Sequence, residues 1–162
     1  MLNIIYNARL FFEDAYKEIS VREFSRESKI SPPTASKLLK QCASEGLLIS
    51  NRVGIYIFFR ANRESFIFKE LSKIYWYSRI FGLSEKLHEE LSFNSIILFG
   101  SLAKTENTAN SDVDLFVNCS ERKINNLLPM ERALGRRVEF HFKNELKNPH
   151  LKKNIEEGIR IR

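Results

Sequence analysis

The sequence predicts an α+β chain in two parts, and three observations carry that prediction. Residues 1–62 read as three short helices with capping signals followed by a β-hairpin. Three later stretches, at 96–99, 112–117 and 136–142, have the short apolar or alternating pattern of strands and are separated by helix-like segments. Between the two parts, 63–82 reads as a connecting helix with no Pro-, Gly- or Ser-rich linker before it, so the second domain is expected at 83–162.

Length and composition agree with two small domains. A chain of 162 residues with 43% hydrophobic and 28% charged residues can bury a core and is not of the disordered class. No apolar run approaches the ~18 residues of a membrane span, and the start lacks a basic segment followed by an apolar one, so no membrane partner and a cytoplasmic location are expected. Cys42 and Cys119 stand alone, without C-x-x-C spacing, and are expected to be buried thiols rather than zinc ligands or a disulfide. The net charge of +6 and pI near 9.4 permit contact with nucleic acid or nucleotides. That charge is split evenly between 1–62 and 63–162 and singles out neither part.

Taken in order, Ile4, Ile5, Ala8, Phe11, Phe12 and Ala15 recur at helical spacing and predict a first helix to about Lys17. Ser20 followed by Glu23 is a capping box for a second helix, with Val21, Phe24 and Ser25 facing inward. Ser28-Lys29-Ile30 turns the chain. Ser31 as N-cap and Pro32 at N1 start a third helix to about Ser44, which Gly46 stops. Its apolar stripe is Ala35, Leu38, Leu39 and Cys42, leaving Thr34, Ser36, Lys37, Lys40 and Gln41 exposed. Residues 47–50 and 55–59 then read as a hairpin around the turn 51–54, with Arg52 at its tip.

Helix, helix, tight turn, helix and hairpin resembles a winged helix-turn-helix domain. The resemblance implies double-stranded DNA as a partner. Thr34, Ser36, Lys37, Lys40 and Gln41 would meet groove and phosphate, and Arg52 on the wing would meet phosphate or the minor groove. Only two lysines lie on that helix face, with Glu27 and Glu45 nearby, so modest affinity and steep salt dependence are expected. The same face also suits a protein contact, including a homodimer.

In the connecting helix, Phe66, Ile67, Leu71, Ile74 and Tyr75 are expected on the buried side up to about Ser78. Gly82 breaks the pattern, and Leu83, Leu87 and Leu91 form the stripe of a further helix. Ile96-Ile97-Leu98-Phe99 reads as a buried strand that ends in Gly100-Ser101, where another helix begins. A helix start of this kind offers free N–H groups to an anion, and glycine permits close backbone approach. With ten residues between it and Ser101, Asp112-Val113-Asp114 opens an alternating run in which Val113, Leu115 and Val117 face one way and both aspartates the other. Their Cα atoms would lie about 7 Å apart, close enough to hold one divalent cation or bridge two.

After Ser120 a short helix is expected over 121–127, then a turn from Pro129 and Met130 to Leu134 closed by Gly135. Arg137, Glu139 and His141 share one face of the next strand, with Val138, Phe140 and Phe142 on the other. Glu139 is the candidate third carboxylate; His141, on the same face, could act near the metal or the base but reads first as an ordinary strand histidine. Asn148-Pro149 opens a last helix with Leu151 and Ile155 inward, Gly158 ends it, and 159–161 reads as a closing strand.

The strand, Gly100-Ser101, polar loop, Asp112-x-Asp114 and later Glu139 together resemble the nucleotidyltransferases of the DNA polymerase β superfamily over 83–162. Closest is the minimal group, whose signature is Gly-Ser, about ten residues, and Asp-x-Asp. That resemblance implies a mixed sheet flanked by helices and two Mg²⁺ ions held by Asp112, Asp114 and Glu139. It also implies ATP or another NTP gripped by Gly100, Ser101 and Lys104. Where the family usually has an aspartate this chain has Glu139, and Ala103-Lys104-Thr105-Glu106 lacks the usual arginine and glycine. The implied reaction is transfer of NMP to a hydroxyl. By the same resemblance the chain is an antitoxin that adenylylates a tyrosine of a HEPN-type ribonuclease toxin while the winged helix represses its operon. The alternative is a DNA-binding regulator that senses a nucleotide without turnover.

Overall fold

The structure, a computed structural model, describes residues 2–120 and 127–162. It divides into two compact units, Met1–Ser72 and Lys73–Arg162. The helix expected over 121–127 lies largely outside the described residues. No described helix is long and apolar enough to cross a membrane.

The first unit contains α1 (Leu2–Glu13), β1 (Glu18–Ser20), α2 (Val21–Ser28), α3 (Pro32–Ser44), β2 (Leu48–Val53) and β3 (Tyr56–Ala61). Ala8, Phe11 and Phe12 of α1 are fully buried, and the Phe12 ring sits 5.1 Å from that of Phe68. The helix stops at Glu13 rather than Lys17, because residues 18–20 are taken by β1, which pairs antiparallel with β3 and was not expected. Three residues with one buried side chain give too short a pattern to read as a strand; the pairing with β3 creates it.

The capping signals were legible. Ser20 accepts the Glu23 N–H, and Glu23 accepts from the Ser20 N–H at 2.8 Å, fixing the start of α2. Lys29 turns out of the helix at φ 56°, and the Ser25 hydroxyl donates to the Ile30 carbonyl at 2.6 Å. Ser31 caps α3, whose buried residues are Ala35, Leu39 and Cys42; Leu38 is half-buried. Burial raises the Cys42 thiol to about 11. Cys119, expected to be buried, is half-exposed. The hairpin turns at Gly54-Ile55, two residues later than expected, so Arg52 pairs with Ile57 inside β2 instead of sitting at the tip. Gly54, at φ 60°, supplies the left-handed conformation that Val53 could not adopt without strain.

The helix α4 (Phe66–Leu91) is continuous through Gly82, where a break was expected. A glycine costs about 1 kcal/mol in a helix interior, whereas burying Ile80, Leu87 and Leu91 at helical spacing on both sides of it stabilises the continuous form by more. The buried stripe also differs from the expected one. Phe68, Leu71, Tyr75, Trp76 and Ile80 are buried, while Phe66, Ile67 and Ile74 are exposed. Apolar residues on two faces made the phase ambiguous, and the Phe12–Phe68 contact decides it.

The second unit is built on a mixed four-stranded sheet in the order β6-β5-β4-β7. Its strands are β4 (Ile96–Phe99), β5 (Val113–Val117), β6 (Val138–Phe142) and β7 (Ile159–Arg160). The pair β5–β6 is parallel, and β4 pairs antiparallel with β5 and β7. Between the strands lie α5 (Gly100–Lys104), α6 (Leu128–Leu134), a 3-10 turn (Lys143–Lys147) and α7 (Pro149–Glu156). The alternate residues Ile96, Leu98, Val113, Leu115 and Val117 are buried and form one face. On the other face Phe99 and Phe116 pack with Ile155 of α7, and Ile97, Leu146 and Leu151 complete that cluster. Asp114 and Glu139 share this face with His141, whose ring meets Phe99 of the cluster.

Candidate active site

The antiparallel register sets Phe99, the last residue of β4, opposite Asp114 of β5, so the chain turns into α5 directly beside the Asp114 carboxylate. Phe99 is extended, and Gly100 switches to φ 73°. A Cβ at Gly100 would overlap Asp114 Oδ2, so both the backbone conformation and the space require glycine here. Ser101 follows in the first turn, half-buried, and the N-cap residue Phe99 contributes no side-chain hydrogen bond to the N–H groups of that turn.

The parallel register of β5 and β6 pairs Asp114 with Glu139 and Phe116 with His141. One ligand atom from each of Asp114, Glu139 and His141 lies within 4.8 Å of the others. Burial, then the Glu139 carboxylate and more weakly Asp112, push the Asp114 carboxyl above its usual range, with His141 opposing them. A half-buried carboxylate facing a second one is what a divalent cation would neutralise, and two oxygen donors with a ring nitrogen form a suitable donor set.

Asp112 was expected to share the cation fully with Asp114. It lies one residue before β5, half-buried, near enough to raise Asp114 but outside the three-residue cluster. It lines an open cleft of about 250 Å³ together with Ser111, Arg136 and Arg137. Arg136, unremarked in the sequence, is nine-tenths buried and holds the loop that delivers Asp112. Its guanidinium donates to the Thr108 and Ser111 carbonyls at 2.9 and 2.6 Å and lies over the Trp76 ring at 5.1 Å. Lys104, expected at a phosphate, donates to Asn154 Oδ1 at 2.8 Å and pairs with Glu157 at 3.3 Å, tying α5 to the end of α7.

A second feature was missed through the weight given to an ordinary histidine. His141 Nδ1 lies 2.8 Å from Glu145 Oε2, and Glu145 Oε1 accepts the Phe142 N–H at 2.8 Å. Burial alone would raise the Glu145 carboxyl, yet the Phe142 N–H and His141 outweigh it and hold it below its usual range. The signal in the sequence was Glu145 four residues after His141, just past a strand end.

In the first unit, Thr34, Lys37, Lys40 and Gln41 are exposed on α3, and Ser36 is half-buried. Two of them are engaged locally: Thr34 Oγ1 lies 2.8 Å from Ser31 Oγ, and Gln41 Nε2 donates to Glu45 Oε1 at 2.9 Å. Arg52 is exposed, with its Nε donating to the Gly54 carbonyl at 3.2 Å. Around it the hairpin turn is apolar, with Val53, Ile55 and Tyr56 exposed.

Comparison with known proteins bears on the second unit. Residues 80–162 match the nucleotidyltransferase domain family. Similar relatives include two candidate protein adenylyltransferases of Methanocaldococcus jannaschii. MJ1379 is 34% identical over 80 residues, covering 45% of this chain and 80% of that protein. MJ0128 is 37% identical over 78 residues, with the same coverage of 45% and 80%. No solved structure matches the chain. A match across more than half of the chain coincides with the unit in which Gly100, Asp114 and Glu139 converge, and the chain belongs to the nucleotidyltransferase domain family.

Proposed function

We propose that the second unit transfers a nucleoside monophosphate, AMP from ATP in the first instance, to a hydroxyl acceptor. The observation that carries this reading is the close approach of Gly100 to Asp114 beside Glu139. An uncapped helix start for phosphate and a carboxylate pair for a divalent cation lie side by side there. Asp114 and Glu139, with Asp112 at the cleft, would hold Mg²⁺ or a similar ion. When bound, such an ion supplies charge neutralisation at the reacting phosphate and the departing pyrophosphate. The Gly100 and Ser101 N–H groups and the Ser101 hydroxyl would orient the β- and γ-phosphates, and Arg137 at the cleft rim offers a further cation. The acceptor oxygen attacks the α-phosphorus as its hydroxyl proton passes to solvent, the bond to the bridging oxygen breaks, and pyrophosphate leaves with its electron pair.

A protein hydroxyl is the favoured acceptor, because the relatives are named as protein adenylyltransferases. A tyrosine on a HEPN-type toxin is the specific form of that reading, with this chain as the antitoxin. The first unit is read as a winged helix-turn-helix that binds double-stranded DNA through Lys37, Lys40 and Arg52. The arrangement of α2, α3 and the β2–β3 hairpin supports this. The engagement of Lys104 by Asn154 and Glu157 favours a second reading, a regulator that binds nucleotide without turnover, because it takes one cation from the phosphate grip.

Incubation with α-labelled ATP, Mg²⁺ and cell extract, beside the Asp112→Asn/Asp114→Asn double variant, separates the two. Label on a protein that vanishes in the folded variant supports transfer. ATP bound without any labelled product supports the nucleotide-sensing regulator.

A further inference from the structure

We infer that His141 is a nitrogen ligand of the cation held by Asp114 and Glu139, with Glu145 as the carboxylate that orients it. The site would then prefer Mn²⁺, Co²⁺ or Zn²⁺ over Mg²⁺. This rests on the reading of Asp114 and Glu139 as the cation's carboxylates.

Three independent features converge on the imidazole. Strand alternation and the β5–β6 register bring a ring nitrogen within 4.8 Å of an oxygen of both acids. The ring's Nδ1 meets Glu145 Oε2 at 2.8 Å. A carboxylate accepts and does not donate, so Nδ1 carries a proton, and the lone pair of the neutral ring is then on Nε2. That carboxylate is fixed in turn by the Phe142 N–H at 2.8 Å, and the Phe99 ring packs edge-on at 5.2 Å. A carboxylate behind a histidine, setting its tautomer and ring orientation, is the outer-shell arrangement that metal-ligating histidines use. A histidine placed only for packing has no need of a second, anchored carboxylate.

The consequence is selectivity. An all-carboxylate site suits a hard ion such as Mg²⁺, while an imidazole raises affinity along the series Mn²⁺, Co²⁺, Zn²⁺.

The test is electron spin-echo spectroscopy of Mn²⁺ bound to the full chain without nucleotide, with Co²⁺ and Mg²⁺ affinities by calorimetry. We expect ¹⁴N modulation in the wild type, its loss in His141→Gln and in His141→Val, and a Co²⁺ affinity lower by about tenfold or more in both. Mg²⁺ affinity should change much less. Glu145→Ala should weaken Co²⁺ binding while the modulation persists. Mn²⁺ bound with no ¹⁴N modulation in the wild type, or modulation that survives in both His141 variants, overturns the inference and leaves the carboxylate site standing. If no divalent ion binds the wild type, the carboxylate reading itself fails. Either histidine variant suffices if the other does not fold, and the wild-type spectrum needs neither.

Discussion

Gly100 and Asp114 occupy adjacent strand ends so closely that the aspartate's Oδ2 fills the place where a Cβ on residue 100 would stand. The contact joins the two parts of the sequence motif in space. It also makes Gly100→Ala a sharp substitution, because alanine must displace the carboxylate and adopt φ 73° as well. We expect nucleotidyl transfer to fall by roughly 10²-fold, the scale on which a reacting group misplaced by about 1 Å loses rate. Circular dichroism should show the fold retained. Transfer at the wild-type rate would remove this contact from the site's geometry.

Asp114 is half-buried and faces Glu139, so without a cation its charge opposes folding. Asp114→Asn removes that repulsion in nearly the same volume. In chelator at neutral pH the variant should therefore be more stable than the wild type, by roughly 0.5–2 kcal/mol. Added divalent ion should raise the melting temperature of the wild type and leave the variant nearly unchanged. A variant less stable than the wild type in chelator would mean that the aspartate is held by structural hydrogen bonds instead.

Local chemistry was legible in the sequence, and non-local pairing was not. Ser20 with Glu23, Ser31 with Pro32, and Gly135 each announce a helix end within four residues, and each end is found where it was read. Alternation set Asp114 apart from Val113 and Leu115, and Glu139 with His141 apart from Val138, while the β5–β6 register that brings the two acids together came only with the structure. By contrast β1 exists only because β3 pairs with it, and the phase of α4 only because Phe12 meets Phe68. Arg136 reads as one of many surface arginines until the loop carbonyls of Thr108 and Ser111 and the Trp76 ring surround it. His141 was on the expected face, but its meaning depends on Glu145, which a 3-10 turn brings back to it.

Gly82 was misread as a helix break, and the structure gives no reason for glycine there: the position is exposed, and a Cβ would meet nothing within 4 Å. Gly82→Ala should thus stabilise the chain by about 0.5–1 kcal/mol, mainly by restricting the unfolded state. Chemical denaturation checks the sign. A loss of stability would show that α4 needs a flexible point at residue 82.

The Ser20–Glu23 capping box makes a pH-dependent contribution to the first unit. Hydrogen bonds from the Ser20 side chain and then its N–H lower the Glu23 carboxyl from its ordinary value of 4.5, with Arg26 and Lys17 helping. The folded state therefore binds the proton less readily than the unfolded chain. Its stabilisation is complete above the unfolded value and is lost as pH falls through the folded one. Glu23→Gln should lower stability at pH 7 and flatten the acid limb of the stability profile. Carboxyl chemical shifts of Glu23 across pH 2–6 would give the midpoint directly, and a midpoint above 4.5 would contradict the hydrogen-bonded geometry.

Lys37 and Lys40 project from α3, and Arg52 lies exposed on β2, with no ion pair to any of the three among the described residues. If the unit binds duplex DNA, these are the cations that would release counterions from phosphate. Each lost contact should reduce the slope of log affinity against log salt by about 1. The triple variant Lys37→Ala/Lys40→Ala/Arg52→Ala should therefore bind sheared duplex DNA more weakly and with a slope shallower by roughly 3. The substitutions are on exposed positions, so the melting temperature should move little. An unchanged slope would take this face off DNA. The exposed apolar turn of Val53, Ile55 and Tyr56 would then become the stronger guide, because an apolar hairpin tip suits a protein surface better than a phosphate backbone.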